Sequence, residues 1–509
     1  MSIPASRTIL TALAGGAILG ILSGPVSAFD NPKAKVPPQA KPQRRAGAEG
    51  VPPLPLPATP MRRTERKRQP APPALVGMIR FPSRGFETVN GRRRQVPGFP
   101  TTQIDIEQLM RFANKKLGVR YRYVGTSVSK FSWDPVEIPL LYLTGWTEMP
   151  ELEAPLASRF RRYLHDGGTM VFHSQCGRKE FTDSARREIA KIFPDRELAL
   201  LDSDSELFRA YYRIEQMRVR QGEEPFITCP PLLEGVYLGC RPAIIFSPID
   251  LNCGWDVVTK PIAGGTLYHQ ADARKLGVNI ITATLANLQY GRSWGAERIL
   301  YEQADDTRDQ LVLAQLVHNG DWDPTPHALA NLVKYIRRNT TISVQAKRQT
   351  VNLQETSGLT HPVIYVTGLR DFTFTDKEVK RLREFLASGG MLVADAAAGR
   401  KAFDVAFRRE IGRVLADSKL APLPADSTVY QIPLSLARVS FTELAKAQGA
   451  GAGRPALEGA VVDGQLAVIY SSLGLSNGWE QLGYAYNRGY GDTDALRLGV
   501  NVFSYVLSH

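Results

Sequence analysis

Histidine and cysteine are scarce: seven and four, respectively, in 509 residues. His165, His173, His269, His318, His327, His361 and His509 are scattered, no two at the helical spacing that lets a pair grip one ion. Cys-x-x-Cys does not occur either, so the local signatures of a metal site are missing and neither a metal nor another cofactor is expected. No P-loop or dinucleotide glycine fingerprint follows an early strand, and the GAGAGR run from Gly449 to Arg454 reads as a flexible loop. Beyond the first 28 residues no run approaches 18 uninterrupted apolar residues, which excludes a later membrane-spanning helix. No cysteine follows the N-terminal apolar run, which argues against lipoprotein attachment.

Residues 1–28 begin with the charge of Arg7, continue through the apolar stretch Ile9 to Gly24 and end in Val26-Ser27-Ala28. This three-part pattern is that of a secretory signal cleaved after Ala28, and it places the mature chain in the periplasm or outside the cell. An uncleaved N-terminal anchor is the alternative. From Phe29 to Pro73 the composition shifts to Pro, Ala, Lys and Arg, with ten basic residues against three acidic ones. Such a segment buries too little apolar area to offset chain entropy, so a disordered, extended basic tether is expected. It carries more than half of the net charge of +13. For an exported chain that charge points to an anionic envelope surface or an acidic protein rather than nucleic acid, with a partnerless spacer as the other reading.

The remaining sequence repeats itself. Ile138–Trp146 matches His361–Leu369, and Gly177–Phe181 (GRKEF) matches Gly399–Phe403 (GRKAF). Arg186–Asp195 matches Arg408–Asp417, Leu233–Trp255 matches Leu457–Trp479, and Asp272–Ile280 matches Asp494–Val502. The order and the near-constant offset identify an internal duplication, with domains over 74–300 and 305–509. Within each copy, continuous apolar strands alternate with amphipathic helices, which predicts a parallel sheet covered on both faces. Glycine pairs at Gly167-Gly168 and Gly389-Gly390 stand where helices end.

The YLTG/YVTG strand, the helix ending in a glycine pair, the GRK-x-F turn and the terminal GW and LGVN segments resemble, in order, the bacterial exported family called domain of unknown function 4159. The resemblance covers both copies. It implies two tandem flavodoxin-like α/β domains similar to class I glutamine amidotransferases, no established activity, and work beside an AAA ATPase and von Willebrand A-domain envelope system.

Ligands of open α/β sheets bind at the carboxyl ends of the strands. In the first copy those ends supply Thr144, Gly145, Trp146, His173, Ser174, Gln175, Cys176, Asp250, Asn252, Cys253 and Trp255. The second supplies Thr367, Gly368, Asp395, Ser471, Ser472, Asn477 and Trp479. Trp255 and Trp479 read as packing residues or as stacking platforms for sugars. Cys176, in the strand-to-helix turn Ser-Gln-Cys-Gly, occupies the position where the amidotransferases carry their nucleophile. Those enzymes need a His and a carboxylate two residues apart on a later strand; none follows here, and His269 and Asp272 are the nearest substitutes. The second copy has Ala398 at that position. A non-catalytic envelope binding or scaffolding protein is therefore the favoured function, against a hydrolase or carbohydrate-active enzyme using the first cleft. Cys240 and Cys253 flank a strand and stand at opposite edges of the sheet, whereas Cys176 shares the edge of Cys253. Cys229 and Cys240 can close a short hairpin-like loop around the LEG segment from Leu233, so disulfides Cys176–Cys253 and Cys229–Cys240 are expected, with four unbridged buried thiols as the alternative.

The mature protein is expected to begin at Phe29, and limited proteolysis to trim it to a start between residues 70 and 76. N-terminal sequencing of exported material that still begins at Met1 would contradict the first, and a protease-resistant tether the second.

Overall fold

A computed structural model describes residues 71–80, 84–89, 92–97, 104–256, 264–296, 312–344, 349–355, 359–415, 418–451 and 453–508. The segment read as a signal sequence, nearly all of the one read as a tether and the boundary between the two copies lie outside the described residues. The first copy contains β1 (Ala74–Arg80), the hairpin β2 (Arg84–Val89) and β3 (Arg92–Pro97), α1 (Asp105–Leu117), β4 (Arg122–Ser127) and β5 (Leu140–Gly145). These are followed by α2 (Ala154–His165), β6 (Thr169–Ser174), α3 (Lys179–Ile192), β7 (Ala199–Leu200), β8 (Met217–Gln221) and β9 (Ile227–Cys229). It closes with β10 (Glu234–Leu238), β11 (Arg241–Ser247), α4 (Asn252–Asp256), β12 (Thr266–Tyr268) and α5 (Gln270–Ala296).

The second copy repeats the core of this order. It runs β13 (Leu313–Val317), α6 (Ala328–Asn339), β14 (Gln349–Asn352), β15 (Val363–Gly368), α7 (Asp376–Ala387) and β16 (Met391–Ala396). Then come α8 (Lys401–Val414), β17 (Ala421–Pro422), α9 (Glu443–Ala447), β18 (Glu458–Val462), β19 (Gln465–Ser471), α10 (Ser476–Glu480) and α11 (Asp492–Ser508).

The first sheet runs β4-β1-β5-β6-β11-β10-β7 and the second β14-β13-β15-β16-β19-β18-β17. In each, the five parallel strands follow the 2-1-3-4-5 order of the flavodoxin-like doubly wound sheet. The expected parallel sheet is thus present but extended into a mixed one, because β10 and β18 run against the parallel set and pair antiparallel on both sides, with β11 and β7 and with β19 and β17. The cause in the second copy is the turn Asp463-Gly464, both residues at positive φ, which joins β18 to β19 as a two-residue hairpin.

Alternation along the strands divides the core. Leu140 and Tyr142 join α1 and α5 on one face, while Leu141 and Leu143 join α2 and α3 on the other. The matched motifs have structural duties. The RREI glutamates, Glu188 and Glu410, are buried on α3 and α8 and accept the backbone amides of Leu152 (2.8 Å) and Phe374 (3.1 Å), fixing the loops before α2 and α7. The LGVN asparagines act alike: Asn279 donates to the carbonyls of Leu207 and Tyr212, and Asn501 to those of Val429 and Leu434. In the glycine pairs, Gly167 and Gly389 hold positive φ, while a Cβ on Gly168 or Gly390 would run into the ring of Tyr163 or Phe385.

The lobes pack head to tail. The β10–β11 turn of the first, with Cys240, meets the carboxyl edge of the second sheet: Asn477 donates to Cys240 Sγ (3.2 Å), and Tyr484 donates to the Cys240 carbonyl (2.9 Å) and to Glu206 Oε1 (3.0 Å). Arg400, buried in the second GRK turn, pairs with buried Glu206 and donates to the carbonyl of Asp204 (3.0 Å). Leu369, Ala397, Ala398 and Tyr484 of the second lobe are continuous with the first lobe's apolar core.

Removing one partner of a buried ion pair leaves the other charge unpaired in a dry site. Arg400→Ala should cost about 3–5 kcal/mol and split urea unfolding into two transitions. Arg178→Ala, at the same motif position in the first lobe, should leave a single transition, since Arg178 is only partly buried and is not part of the contact between lobes. A single transition with an unchanged midpoint for Arg400→Ala would show that this pair does not couple the lobes.

Candidate functional site

The turn between β6 and α3 is one tight 3-10 turn, Gln175–Gly177, with Cys176 at φ 53°, ψ 18°. A non-glycine residue in the left-handed region is held there by its surroundings. The hold is a hydrogen bond: the Cys176 amide donates to Asp250 Oδ2. In the second lobe Ala398 adopts φ 52°, ψ 17°, and its amide donates to Asn477 Oδ1. The strain therefore belongs to the fold and is not by itself a mark of a nucleophile. Asn477 stands at the repeat position of Cys253, so the two lobes meet one backbone requirement with acceptors from different positions of the same loop.

Asp250 gathers further groups. Its Oδ1 accepts the amide of Cys253 (2.8 Å), and the Cys253 thiol donates to Oδ2 (3.4 Å). The sulfurs of Cys176 and Cys253 and a carboxylate oxygen of Asp250 all lie within 4.8 Å of one another. Cys176 and Asp250 are buried and Cys253 is partly exposed. The bond to Cys176, together with burial and the charge of Asp250, pushes the Cys253 thiol above its ordinary value. Beside this cluster the Gln175 side chain is buried with neither amide atom paired among the described residues.

Behind the cluster lies a dry polar chain. Leu251 N donates to His173 Nε2 (2.7 Å), so the imidazole proton sits on Nδ1, which faces Thr144 Oγ1 (2.9 Å) and the Tyr142 hydroxyl (3.1 Å). Tyr142 donates to Asp105 Oδ2 (3.2 Å). Burial lowers His173 to about 4 against the opposing charge of Asp250. With its lone pair taken by a backbone amide, His173 is a neutral strut and not a base. Asp395 does the same work in the second lobe, accepting Tyr365 Oη, Leu475 N (2.8 Å) and Ser476 N (2.9 Å).

Several expectations are corrected here. Trp255 and Trp479 are buried and donate to the carbonyls of Ala273 (2.9 Å) and Ala495 (2.7 Å), so neither is a stacking platform. Thr367, Gly368, Asp395, Ser471 and Asn477 are buried by their own lobe or by the first and are closed to a ligand, while Ser472 is partly exposed. Thr144, Gly145, Ser174 and Asn252 are also buried; at the first lobe's edge Trp146, Gly177, Arg178 and Cys253 reach the surface in part. His269 and Asp272 make no acid–base pair for Cys176: Asp272 is bound by Arg218 through three hydrogen bonds, and His269 accepts from Ala271 N and packs edge-on against Phe226.

The cysteines are thiols, not disulfides. Cys229 and Cys240 cannot bridge because the segment between them is the extended strand β10, not a loop, which sets them at its opposite ends. Burial pushes the Cys240 thiol up to about 12. Cys176 and Cys253 are neighbours, as expected, but unbridged. The expectation of no metal-binding group also needs revision, because the three-member thiol–carboxylate cluster has the donors for one. Only its Asp-x-x-Cys portion, Asp250 to Cys253, is local in sequence.

The family model described as Domain of unknown function (DUF4159) matches residues 101–285 and again 312–507. No curated protein matches the chain at a significant level.

Burial raises the Asp105 carboxyl from 3.8 to about 6, with amide and tyrosine bonds opposing and Asp256 adding to the rise. A carboxyl raised in the folded state binds its proton more tightly there than in the unfolded chain. Stability is therefore greatest below pH 4 for this group and falls as pH rises to 6. Asp105→Asn should stabilise the protein at pH 7 by on the order of 2–3 kcal/mol, with no gain below pH 4. Urea melts at pH 3.5, 5 and 7 give the comparison; a pH-independent difference would remove Asp105 as the titrating group.

Proposed function

Because the chain belongs to the Domain of unknown function (DUF4159) family and carries two copies of its domain, we propose that it is an exported, non-catalytic binding or scaffolding protein of the cell envelope with one ligand-facing sheet edge per chain. The observation that carries this reading is the filled edge of the second lobe. Asn477 and Tyr484 engage Cys240 there, where a ligand would otherwise sit. The edge of the first lobe, around Trp146, Arg178 and Cys253, is left for a partner, and the basic segment 29–73 holds the lobes against anionic envelope material or an acidic protein. An AAA ATPase and von Willebrand A-domain envelope system is the assembly in which such a platform would serve.

The rival is a hydrolase or carbohydrate-active enzyme built on Cys176, favoured by the left-handed turn that presents it. Against it stand the identical turn at Ala398, the spent lone pair of His173 and the engagement of Asp272 by Arg218.

Isolation of the full chain from the envelope of the cell that makes it tests the proposal. A co-purifying envelope protein should be weakened about tenfold or more by Trp146→Ala with Arg178→Glu. Deletion of 29–73 should abolish salt-sensitive retention on anionic vesicles and leave the lobes folded. Turnover of an ester, amide or glycoside probe that Cys176→Ser abolishes would replace this function with the enzymatic one.

A further inference from the structure

We infer that Cys176, Asp250 and Cys253 form a binding site for one thiophilic divalent cation of the zinc class. This inference stands apart from the scaffold reading: it concerns the first lobe's thiols alone, whereas that reading rests on the filled edge of the second lobe.

Three donor atoms within 4.8 Å of one another, two sulfurs and one carboxylate oxygen, meet on two loops joined by the bond from the Cys176 amide to Asp250. The donor set selects the metal. Two thiolates favour a soft or borderline ion, and the carboxylate disfavours copper(I), which leaves zinc as the natural occupant. Asp250 already accepts two backbone amides, which orients it, and a carboxylate retains lone pairs for a metal beyond those bonds. Three protein ligands leave a fourth tetrahedral position, and Cys253 is the member that reaches the surface.

The second lobe supplies the control. It keeps the backbone of the turn to within a degree at Ala398 and keeps an acceptor for that amide in Asn477. Yet it has Ala397, Ala398, Gly474 and Asn477 where the first lobe has Gln175, Cys176, Asp250 and Cys253. The fold thus needs neither thiol and no carboxylate, and in the second lobe all three donors are gone together. Binding replaces the two thiol protons by the metal and releases them to solvent, with no change of oxidation state.

Titration of the reduced full chain with cobalt(II) alone should give one bound ion per chain with an intense thiolate-to-cobalt absorption, displaced by one equivalent of zinc(II). Cys253→Ser should roughly halve that absorption. Cys229→Ser should leave it unchanged. The triple replacement Cys176→Ala, Asp250→Gly, Cys253→Asn installs residues the second lobe already tolerates; it should abolish the absorption while the circular dichroism and melting temperature stay near those of the unaltered chain. Three results would each overturn the inference: no thiolate band although all four thiols react once the chain is unfolded, full binding by a folded triple variant, or a Cys176–Cys253 disulfide in protein isolated from its own cell.

Discussion

The amide at the turn after the central strand, β6 or β16, is the constraint around which each lobe is arranged. To reverse from strand to helix in three residues the chain places Cys176 or Ala398 in the left-handed region. That conformation turns a backbone N–H into a buried site, where an unpaired donor costs about as much as a lost hydrogen bond. The acceptor must come from the loop after the neighbouring strand, β11 or β19, so this loop is drawn over the sheet edge. The loop is itself held from below, by His173 on Leu251 or by Asp395 on Leu475 and Ser476. The tryptophan that follows is then pinned to the last helix through its indole N–H. One unsatisfied amide thus orders strand end, loop, short helix and final helix in both copies.

The same edge decides how the lobes join. A head-to-tail contact between homologous units can in principle continue indefinitely into a filament. Here the residues that make it are not repeated. Glu206, which holds Arg400, has Thr428 as its counterpart, and Cys240, which receives Asn477 and Tyr484, has Gly464. The second lobe can accept the first but lacks the carboxylate and the thiol to act as the first toward another copy. The two alanines of the turn, Ala397 and Ala398, fit the same logic, since small side chains let the first lobe's core pack directly on them.

The duplication, the strand–helix alternation and the proximity of Cys176 to Cys253 are legible in the sequence because apolar runs and near-constant offsets report them directly. The antiparallel edge is legible too, in hindsight: Asp463-Gly464 between two apolar runs is a strong hairpin signal. Reading the segment from Leu233 as a loop instead produced the mistaken Cys229–Cys240 bridge. What no local pattern carries is the burial of the strand ends. Asn477 stands where ligands bind in open sheets, but the residue that covers it lies far away in the chain, Cys240 being separated from it by 237 positions. The thiol–carboxylate cluster is hidden for a similar reason, its members being 74 residues apart.

An internal duplication separates what the fold requires from what only one copy adds. Glu188 and Glu410, Asn279 and Asn501, Trp255 and Trp479 are matched, and each pair has the same structural duty. Matched polar residues, which invite a functional reading, are therefore the ones the architecture already explains. The unmatched residues divide into two groups with different physical settings. Arg178, facing the surface in the first lobe, has a twin in Arg400, whose partner Glu206 is unmatched; that difference serves the contact between lobes. Cys176, Asp250 and Cys253 are not required for the bond that holds the turn, since Ala398 and Asn477 satisfy the same amide without them. Their chemistry exceeds what the backbone asks for, and the excess lies at the first lobe's sheet edge, where among these three Cys253 reaches the surface in part.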